Sequence, residues 1–288
     1  MQTVDQLDPL RRAVEGLRAD GPVALVPTMG ALHEGHLTLV REAKARAAHV
    51  VASIFVNPRQ FGVGEDLDAY PRPRERDLEM LGREGVSLVW APTVEAMYPA
   101  GYATNVSVSG VSEELCGAAR PGHFDGVATV VCKLFNQVRP DLAFFGEKDW
   151  QQLAVIRRMA RDLDLIAPYA DAIHGVATVR EADGLAMSSR NGYLTSQERA
   201  QAAALPRAMR AAIAALEAGA DPAPTLAVIE AELLGGGFAA IDYVALRDPE
   251  SLALRTTLAQ GDARLFVAAR IGRARLIDNM PVGRATAA

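Results

Sequence analysis

The chain has 288 residues, of which 50% are hydrophobic and 23% charged, as in soluble globular proteins that are large enough for two domains. Its net charge of −5 argues against a general nucleic-acid binder, which would carry a basic surface. Cys116 and Cys132 lack the spacing of a disulfide framework or of a thiolate metal site. Because no segment resembles a signal peptide or reaches transmembrane length, we expect a cytoplasmic protein that binds neither membranes nor nucleic acid.

Strands and helices alternate in the first 176 residues. Nearly continuous apolar runs at 50–56 and 142–145 are typical of strands that are buried on both faces of a parallel sheet. The alternation predicts an α/β fold with a doubly wound parallel sheet and right-handed crossovers. In chain order we predict a helix from Val4 to Leu17, a strand at 23–26, a helix at 34–48, a strand at 50–56, a helix at 74–85, a strand at 86–90, a possible strand at 104–109, a helix at 125–138, a strand at 142–145, a helix ending near 163 and a strand at 170–180.

The sequence pattern changes near residue 176. An alanine-rich helix at 196–218 and a second helix at 224–234 are followed by three glycines and three short strands, at 241–245, 264–269 and 273–278. We therefore predict two domains, residues 1–176 and residues 177–288. The second is expected to be a smaller α+β domain.

The stretch from Pro27 to His36 links the strand at 23–26 to the following helix. Gly30 and Gly35 leave room for a ligand or a neighbouring backbone, and amide groups unpaired at the start of a helix favour a phosphate. His33 and His36 are three residues apart and would share one helix face. They could instead form half of a metal site, but zinc needs further ligands, and a metal site gives the glycines no purpose. We therefore favour a nucleotide phosphate site.

A second polar stretch, Gly146-Glu147-Lys148-Asp149, follows the strand at 142–145. A lysine at the carboxyl end of a parallel strand can reach a phosphate, and Asp149 is suited to capping the next helix. Gln152 lies one turn further on. A capped helix beside a surface lysine explains this tetrapeptide about as well as a phosphate site does.

Two other groups of polar residues can be explained either as ligand-binding residues or as ordinary loop residues. In the stretch 180–191, Ser188 and Ser189 can donate to phosphate oxygens and Arg190 can pair with them in a bidentate manner. A solvated loop with a capping serine explains this stretch slightly better by itself. Gln60, in a loop after the strand at 50–56, suits a hydroxyl or carboxylate of a small substrate, although an exposed loop is the commoner place for glutamine.

Taken in order, these stretches resemble a known family. His33-Glu34-Gly35-His36 is similar to the HIGH motif of nucleotidyltransferases, and Met187-Ser188-Ser189-Arg190 to their KMSKS-type loop. Together with Phe55-Val56-Asn57-Pro58, Gln60-Phe61-Gly62, Phe145–Asp149 and Arg180–Asn191, they resemble the pantothenate synthetase (pantoate–β-alanine ligase) family from about residue 20 to 195. One departure is Cys116, which stands where the family pattern has glutamate.

The resemblance implies a Rossmann-like ATP- and pantoate-binding domain, a C-terminal lid, a homodimer and a requirement for Mg²⁺, whose ligands we leave unassigned. It implies ligation of pantoate and β-alanine to pantothenate through pantoyl adenylate, with His36, His33 and Lys148 catalytic. It places pantoate at Gln60 and Gln152, with Gln60 also near β-alanine. The ATP-binding residues implied are Met29, Gly30, Ala31, Leu32, His33, Glu34, Gly35, His36, Gly146, Glu147, Lys148, Asp149, Val179, Met187, Ser188, Ser189 and Arg190.

Other classes of protein share part of this pattern. Another HIGH-motif nucleotidylyltransferase acting on a small substrate is the main alternative. An aminoacyl-tRNA synthetase would need a basic RNA-binding face, which the net charge of −5 does not suggest. A regulatory nucleotide-binding module without catalysis would leave the joint presence of Gln60, Gln152, Lys148 and both histidines unexplained.

Overall fold

The computed structural model describes residues 1–283. Their contacts divide them into two compact units. The first, here the N-terminal unit, contains Met1–Glu147 and Gln151–Ala177. The second, the C-terminal unit, contains Lys148–Trp150 and the described residues from Thr178 to 283, and its helices and strands are counted over those residues. In the part of the chain that the structure describes, every helix is too short or too polar to span a bilayer.

The N-terminal unit is built on a six-stranded parallel sheet, so the predicted α/β fold class is confirmed. Its core joins sheet and helix residues such as Val26, Val40, Ala52 and Phe144. Its strands are β1 (Gln2–Val4), β2 (Val23–Thr28), β3 (His49–Ile54), β4 (Leu88–Trp90), β5 (Leu142–Gly146) and β6 (Ile173–Val176). Its helices are α1 (Leu7–Arg18), α2 (Glu34–Lys44), α3 (Arg74–Arg83), α4 (Val94–Met97), α5 (Cys116–Ala119), α6 (His123–Val138) and α7 (Trp150–Asp162). The first residue of α7, Trp150, belongs by its contacts to the C-terminal unit.

The strand order β1-β4-β3-β2-β5-β6 creates a switch point between β2 and β5. From β2 the chain first builds the sheet through β3 to β4, and it then crosses to the other side of β2 to form β5. The two strands pair directly, and they end at Thr28 and Gly146. Ligands of doubly wound sheets bind beyond the carboxyl ends of the strands at such a point. The fold therefore brings the start of two predicted site stretches, at Thr28 and Gly146, to one edge of the sheet.

The C-terminal unit contains a three-stranded antiparallel sheet and three helices, which confirms the predicted smaller α+β fold. Residues such as Leu205, Met209, Leu233, Leu265 and Val267 form its core. The strands are β7 (Ala240–Arg247), β8 (Ala263–Ile271) and β9 (Ala274–Val282), and β8 lies between the other two. The helices are α8 (Ser196–Ala202), α9 (Ala204–Glu217) and α10 (Pro222–Gly235).

Several details of the predicted secondary structure are wrong, among them the strand at 170–180, of which only Ile173–Val176 is a strand. Val4, predicted to start the first helix, belongs to β1, a strand too short to show a period. The possible strand at 104–109 is absent, and the amide of Val106 donates instead to Thr129 Oγ1 at 2.9 Å. The helix at 196–218 is two helices, because Pro206 has no amide hydrogen for the carbonyl four residues earlier, at Ala202.

Close packing of α6 on the loop after β3 gives a stability test at Gly126. A Cβ atom there would lie 2.1 Å from the carbonyl oxygen of Arg59 and 2.7 Å from the amide nitrogen of Gln60. Since backbone cannot move aside cheaply, we expect Gly126→Ala to lower the free energy of unfolding by at least about 2 kcal/mol. The measurement is urea unfolding followed by circular dichroism.

Gly16→Ala is the matched control, because Gly16 lies in α1 and an added Cβ meets nothing within 4 Å. It should raise the free energy of unfolding by about 0.5 kcal/mol through helix propensity. Equal stability of the Gly126→Ala variant and the wild type would contradict the packing described.

Candidate active site

The loop that follows β2 is held by a buried carboxylate. Asp77 on α3 is 1% exposed, and its two oxygens accept the amide groups of Ala31 and Leu32, each at 2.8 Å. Gly30, with φ +80°, passes so close that a Cβ would lie 2.9 Å from Asp77 Oδ2. Its amide donates to Thr28 Oγ1 at 3.2 Å. Asp77 therefore fixes the path of the chain between β2 and α2. Glycine is required at position 30 because the backbone is left-handed there and because a side chain would collide with Asp77.

These bonds correct one argument from the sequence. The predicted phosphate site relied on unpaired amide groups in this turn, whereas the amides of Gly30, Ala31 and Leu32 donate to side chains of the protein. The amides of His33 and Gly35 are also used, by the imidazoles of His36 and His33. The turn therefore presents side chains to a ligand, and most of its amide groups serve to shape it.

His33 and His36 cap the start of α2 reciprocally. His33 is the residue before the helix, and its Nδ1 accepts the amide of Gly35 at 3.1 Å. Nδ1 of His36 accepts the amide of His33 at 3.3 Å, and the ring centroids are 4.1 Å apart. Because Nδ1 accepts in both rings, the neutral imidazoles carry their protons on Nε2. The cap thus turns two histidines into a pair of oriented N–H donors.

Gln60 is anchored through both the oxygen and the nitrogen of its side-chain amide. It ends the short 3₁₀ helix Pro58–Gln60, its Oε1 accepts from Asn57 Nδ2 at 3.1 Å, and its Nε2 lies 3.1 Å from Met29 Sδ. Asn57 is 1% exposed and is itself held by Gly126 and Tyr98, whose hydroxyl donates to Asn57 Oδ1 at 2.8 Å. Burial raises the pKa of Tyr98, so the phenol remains a donor. Gln60 and Met29, both predicted from the sequence, are therefore brought together.

The main chain of Gln60 is fixed by a polar cluster of Glu65, Arg120 and His123. Its carbonyl oxygen lies 2.8 Å from His123 Nδ1 and 3.2 Å from Arg120 Nη2. Arg120 also pairs with Glu65 at 2.6 Å, and its Nη1 lies 2.9 Å from His123 Nε2. Since an arginine can only donate, neutral His123 accepts at Nε2 and donates from Nδ1. Burial alone would raise the pKa of Glu65, but the hydrogen bonds and charge of Arg120 lower it below its ordinary value.

Gln152 and its neighbour lie on α7 of the N-terminal unit. Gln152, predicted to bind pantoate, has a half-buried side chain. Gln151 is buried and ties down the segment before α5, since its Oε1 accepts the amide of Cys116 at 3.0 Å and its Nε2 donates to the carbonyl of Glu114 at 2.7 Å. Cys116, the departure from the family pattern, is thus a buried residue at the start of α5.

The remaining predicted residues of the N-terminal unit lie next to the strands and helix that place them. Glu34 and Gly35 open α2, where Glu34 pairs with Arg41. Gly146 ends β5, and Glu147 begins the single 3₁₀ turn Glu147–Asp149. The rest of that turn, Lys148 and Asp149, belongs by its contacts to the C-terminal unit and leads directly into α7.

Within the C-terminal unit, Val179 and Met187 face each other in a small hairpin. The amide of Met187 donates to the carbonyl of Val179 at 3.0 Å, and Gly184, with φ +90°, forms the tight turn between them. Ser188 then caps the 3₁₀ helix Ser189–Tyr193 by accepting the amide of Arg190 at 3.2 Å. The capping serine, one of the two explanations that the sequence left open, is present, and its hydroxyl hydrogen can still be donated to a ligand.

The fold and the histidine cap define an α/β protein of the HIGH-motif nucleotide-binding class. The family model described as pantoate-beta-alanine ligase matches residues 2–281. The chain therefore belongs to the pantoate–β-alanine ligase family, and it is an enzyme that joins pantoate and β-alanine at the expense of ATP.

Individual relatives of this family match nearly the full length of the chain. The chain is 68% identical to the pantothenate synthetase of Novosphingobium aromaticivorans, over 98% of this chain and 99% of that one. It is 60% identical to the pantothenate synthetase of Sphingopyxis alaskensis, over 98% of this chain and 100% of that one. Among solved structures, the pantothenate synthetase of Thermus thermophilus superposes with a TM-score of 0.91 at 49% identity, covering 98% of this chain and 100% of that one. The pantoate-beta-alanine ligase of Francisella tularensis, complexed with beta-gamma ATP and beta-alanine, gives 0.83 at 30% identity and covers 100% and 99%.

Several supporting residues escaped the sequence analysis. Asp77 adjoins the charged run 72–76, which looks solvent-exposed, although its spacing of four from buried Leu81 placed it on the inner face of α3. Arg120 and His123 lie in an irregular, glycine- and proline-containing segment where no local pattern marks a contact with Gln60. Only the first of these had a signal that the sequence could reveal.

The lowered pKa of Glu65 predicts an acid-dependent loss of stability. The Glu65–Arg120 pair contributes fully above the ordinary pKa of glutamate, and its contribution disappears as pH falls through the lower pKa of the folded state. The difference in unfolding free energy between wild type and Glu65→Gln should therefore shrink as the pH is lowered from neutral through that range. Urea unfolding at a series of pH values measures it.

Glu42→Gln, which removes an exposed ion pair with Arg46, is the control and should show a small difference at every pH. A difference between wild type and Glu65→Gln that stays constant with pH would show that the carboxylate is not stabilised by Arg120.

Proposed function

We propose that the reaction proceeds in two steps through an acyl adenylate. A carboxylate oxygen of pantoate attacks the α-phosphorus of ATP, the bond to pyrophosphate breaks, and pantoyl adenylate forms. The amine of β-alanine then attacks the acyl carbon, AMP leaves with the bonding electrons, and the nitrogen loses a proton to give pantothenate. The observation that carries this proposal is the histidine cap beside the β2–β5 switch point, which offers oriented donors where charge builds up on phosphate oxygens.

The proposed ATP contacts follow from the chemistry of each stretch. The Nε2–H groups of His33 and His36 donate to phosphate oxygens within the stretch Met29–His36, and Lys148 adds a mobile positive charge within Gly146–Asp149. Val179 and Met187–Arg190 complete the ATP site, with Ser188 and Ser189 as hydroxyl donors. No covalent nucleophile is needed, because positioning and electrostatic stabilisation account for this kind of transfer.

Gln60 is proposed to bind pantoate and to lie near β-alanine, and Gln152 to bind pantoate. A glutamine side chain offers both a donor and an acceptor, which match the hydroxyl and carboxylate groups of pantoate. The anchoring of Gln60 through Asn57 supports this role, since a fixed amide loses little conformational entropy when it binds a substrate.

Magnesium is proposed to arrive with ATP. Among residues 1–283, no three histidine, cysteine or acidic side chains are grouped so that they could hold a metal ion. Mg²⁺ commonly keeps several waters and binds through substrate phosphates, so ATP is the natural carrier, and it would offset phosphate charge there. We assign no residue of this chain to it.

The organisation of the enzyme is part of the same proposal. We propose that residues 1–176 bind ATP and pantoate and that residues 177–288 act as a lid that excludes water from the hydrolysable adenylate. A cytoplasmic homodimer is also proposed. The binding domain, the lid and the homodimer follow from the family resemblance, the boundary near residue 176 from the change in sequence pattern, and the location from the lack of a segment like a signal peptide.

The proposed route predicts that pyrophosphate release depends on pantoate and precedes the need for β-alanine. Wild-type protein with ATP and pantoate should release one pyrophosphate per site, and β-alanine should then permit turnover with AMP release. Pyrophosphate release that is independent of pantoate would favour another nucleotidylyltransferase and contradict the proposal.

His36→Ala and Lys148→Ala should each slow pantoate-dependent pyrophosphate release by about 100-fold or more, because each removes a donor or charge from the transition state. Lys44→Ala is the matched control, since Lys44 is an exposed lysine that donates to the carbonyl of Glu84. Rates near that of the wild type in the two site variants would refute the roles given to those side chains.

A further inference from the structure

Two adjacent side chains on β9 contact residues in or beside two stretches that the proposed function places at ATP. Asn279 contacts the main chain of Lys148, and Asp278 contacts Arg180, which directly follows Val179. We propose, on the basis of that function, that Asp278 and Asn279 are positioning residues that hold Lys148 and the loop Met187–Arg190 in the arrangement that adenylation requires. Both residues are 3% exposed. Lys148, Arg180 and Arg264, the partners described below, belong like them to the C-terminal unit.

Asn279 holds the turn that carries Lys148. Its Nδ2 donates to the carbonyl oxygen of Lys148 at 2.9 Å, and its Oδ1 accepts from Arg264. The guanidinium of Arg264 in turn stacks on Trp150, 3.4 Å from the ring centroid. Trp150 is tied down at its other end, since its Nε1 donates to the carbonyl of Pro249 at 2.7 Å. The backbone of Lys148 is thus fixed while its long side chain remains able to reach a phosphate.

Asp278 holds the hairpin that leads into the loop Met187–Arg190. Its carboxylate accepts two bonds from Arg180, at 2.7 and 3.0 Å, and the side chain of Asp278 is 1% exposed. Arg180 also donates to the carbonyl of Gly184 at 3.0 Å, so one guanidinium ties the stem of the hairpin to its turn. The hairpin places Met187 against Val179 immediately before Ser188. A bidentate pair of this kind specifies geometry as well as energy.

The adjacency of the two residues is what links the two stretches. Consecutive residues of a strand project to opposite faces, so one peptide unit of β9 can hold the Lys148 turn with one side chain and the hairpin with the other. β9 is itself paired along its length with β8, and it therefore provides a rigid base. The pair therefore reaches the Lys148 turn directly and, through Arg180, the hairpin that carries Val179 and Met187.

The most specific test is Asn279→Asp, which keeps an oxygen for Arg264 but removes the donor to the Lys148 carbonyl. We expect kcat/KM for ATP in pantoate-dependent ATP–pyrophosphate exchange to fall by about tenfold, as a lost buried hydrogen bond predicts. The KM for β-alanine, measured in the complete ligation reaction, should be unchanged. In a Lys148→Ala background, the same substitution should have little further effect, because the two residues act through one contact.

Arg180→Lys tests the other side chain and also serves if Asn279→Asp does not fold. It keeps the charge but loses the bidentate geometry, so KM for ATP should rise with the protein still folded. Asp242→Asn is the matched control in the same sheet. Asp242 pairs with Arg275 at 2.6 Å and with Arg270 at 3.0 Å, and its loss should leave the exchange kinetics unchanged.

Two outcomes would overturn the inference. One is a folded Asn279→Asp or Arg180→Lys variant with the kinetic constants of the wild type. The other is full additivity of Asn279→Asp and Lys148→Ala, which would mean that Asn279 acts independently of Lys148. If the wild type itself shows no pantoate-dependent exchange, the proposed function fails instead. The positioning pair is then tested by calorimetry, where weaker ATP binding by Asn279→Asp supports it and equal binding refutes it.

Discussion

The carboxylate of Asp77 is the interaction on which the candidate site depends. By accepting the amides of Ala31 and Leu32, it fixes the exit of the chain from β2 and therefore the position of His33 at the start of α2. A buried carboxylate that lost these two donors would face a large desolvation cost, so the loop and the acid stabilise each other. Because Asp77 occupies these amides, the negative charge of a nucleotide must be met mainly by side chains, and the capping histidines are the residues proposed to meet it.

Buried polar residues also orient the other side chains that are proposed to contact ligands. Gln60 is held by Asn57 on its side chain and by His123 and Arg120 on its carbonyl, and Lys148 is held through its backbone by Asn279. In each case a buried polar residue with its own partners orients a residue that is proposed to contact substrate. Positioning of this kind suits adenylation, in which rate comes from geometry and charge and no nucleophile of the protein takes part.

The sequence predicted the α/β fold and the order of most elements, because buried parallel strands and amphipathic helices leave strong periodic patterns. It also identified His33 and His36 as functional candidates, although it attributed phosphate binding to amides that the structure shows to be occupied. The supporting residues were harder to find. Asp278 and Asn279 look like ordinary strand residues. Arg180 and Lys148, which they hold, lie about 100 to 130 residues away in sequence, so that only the fold reveals these contacts.

Pantoate-dependent ATP–pyrophosphate exchange by Asp77→Asn tests this account most directly. The amide keeps the size of the carboxylate but sets a donor against one of the two loop amides, which leaves a buried group unpaired. We expect a folded protein whose exchange rate is at least about tenfold below that of the wild type. Glu79→Gln, which removes an exposed pair with Arg83 on the same helix, should exchange normally. A folded Asp77→Asn variant with the exchange rate of the wild type would contradict the central claim that this carboxylate sets the geometry of the site.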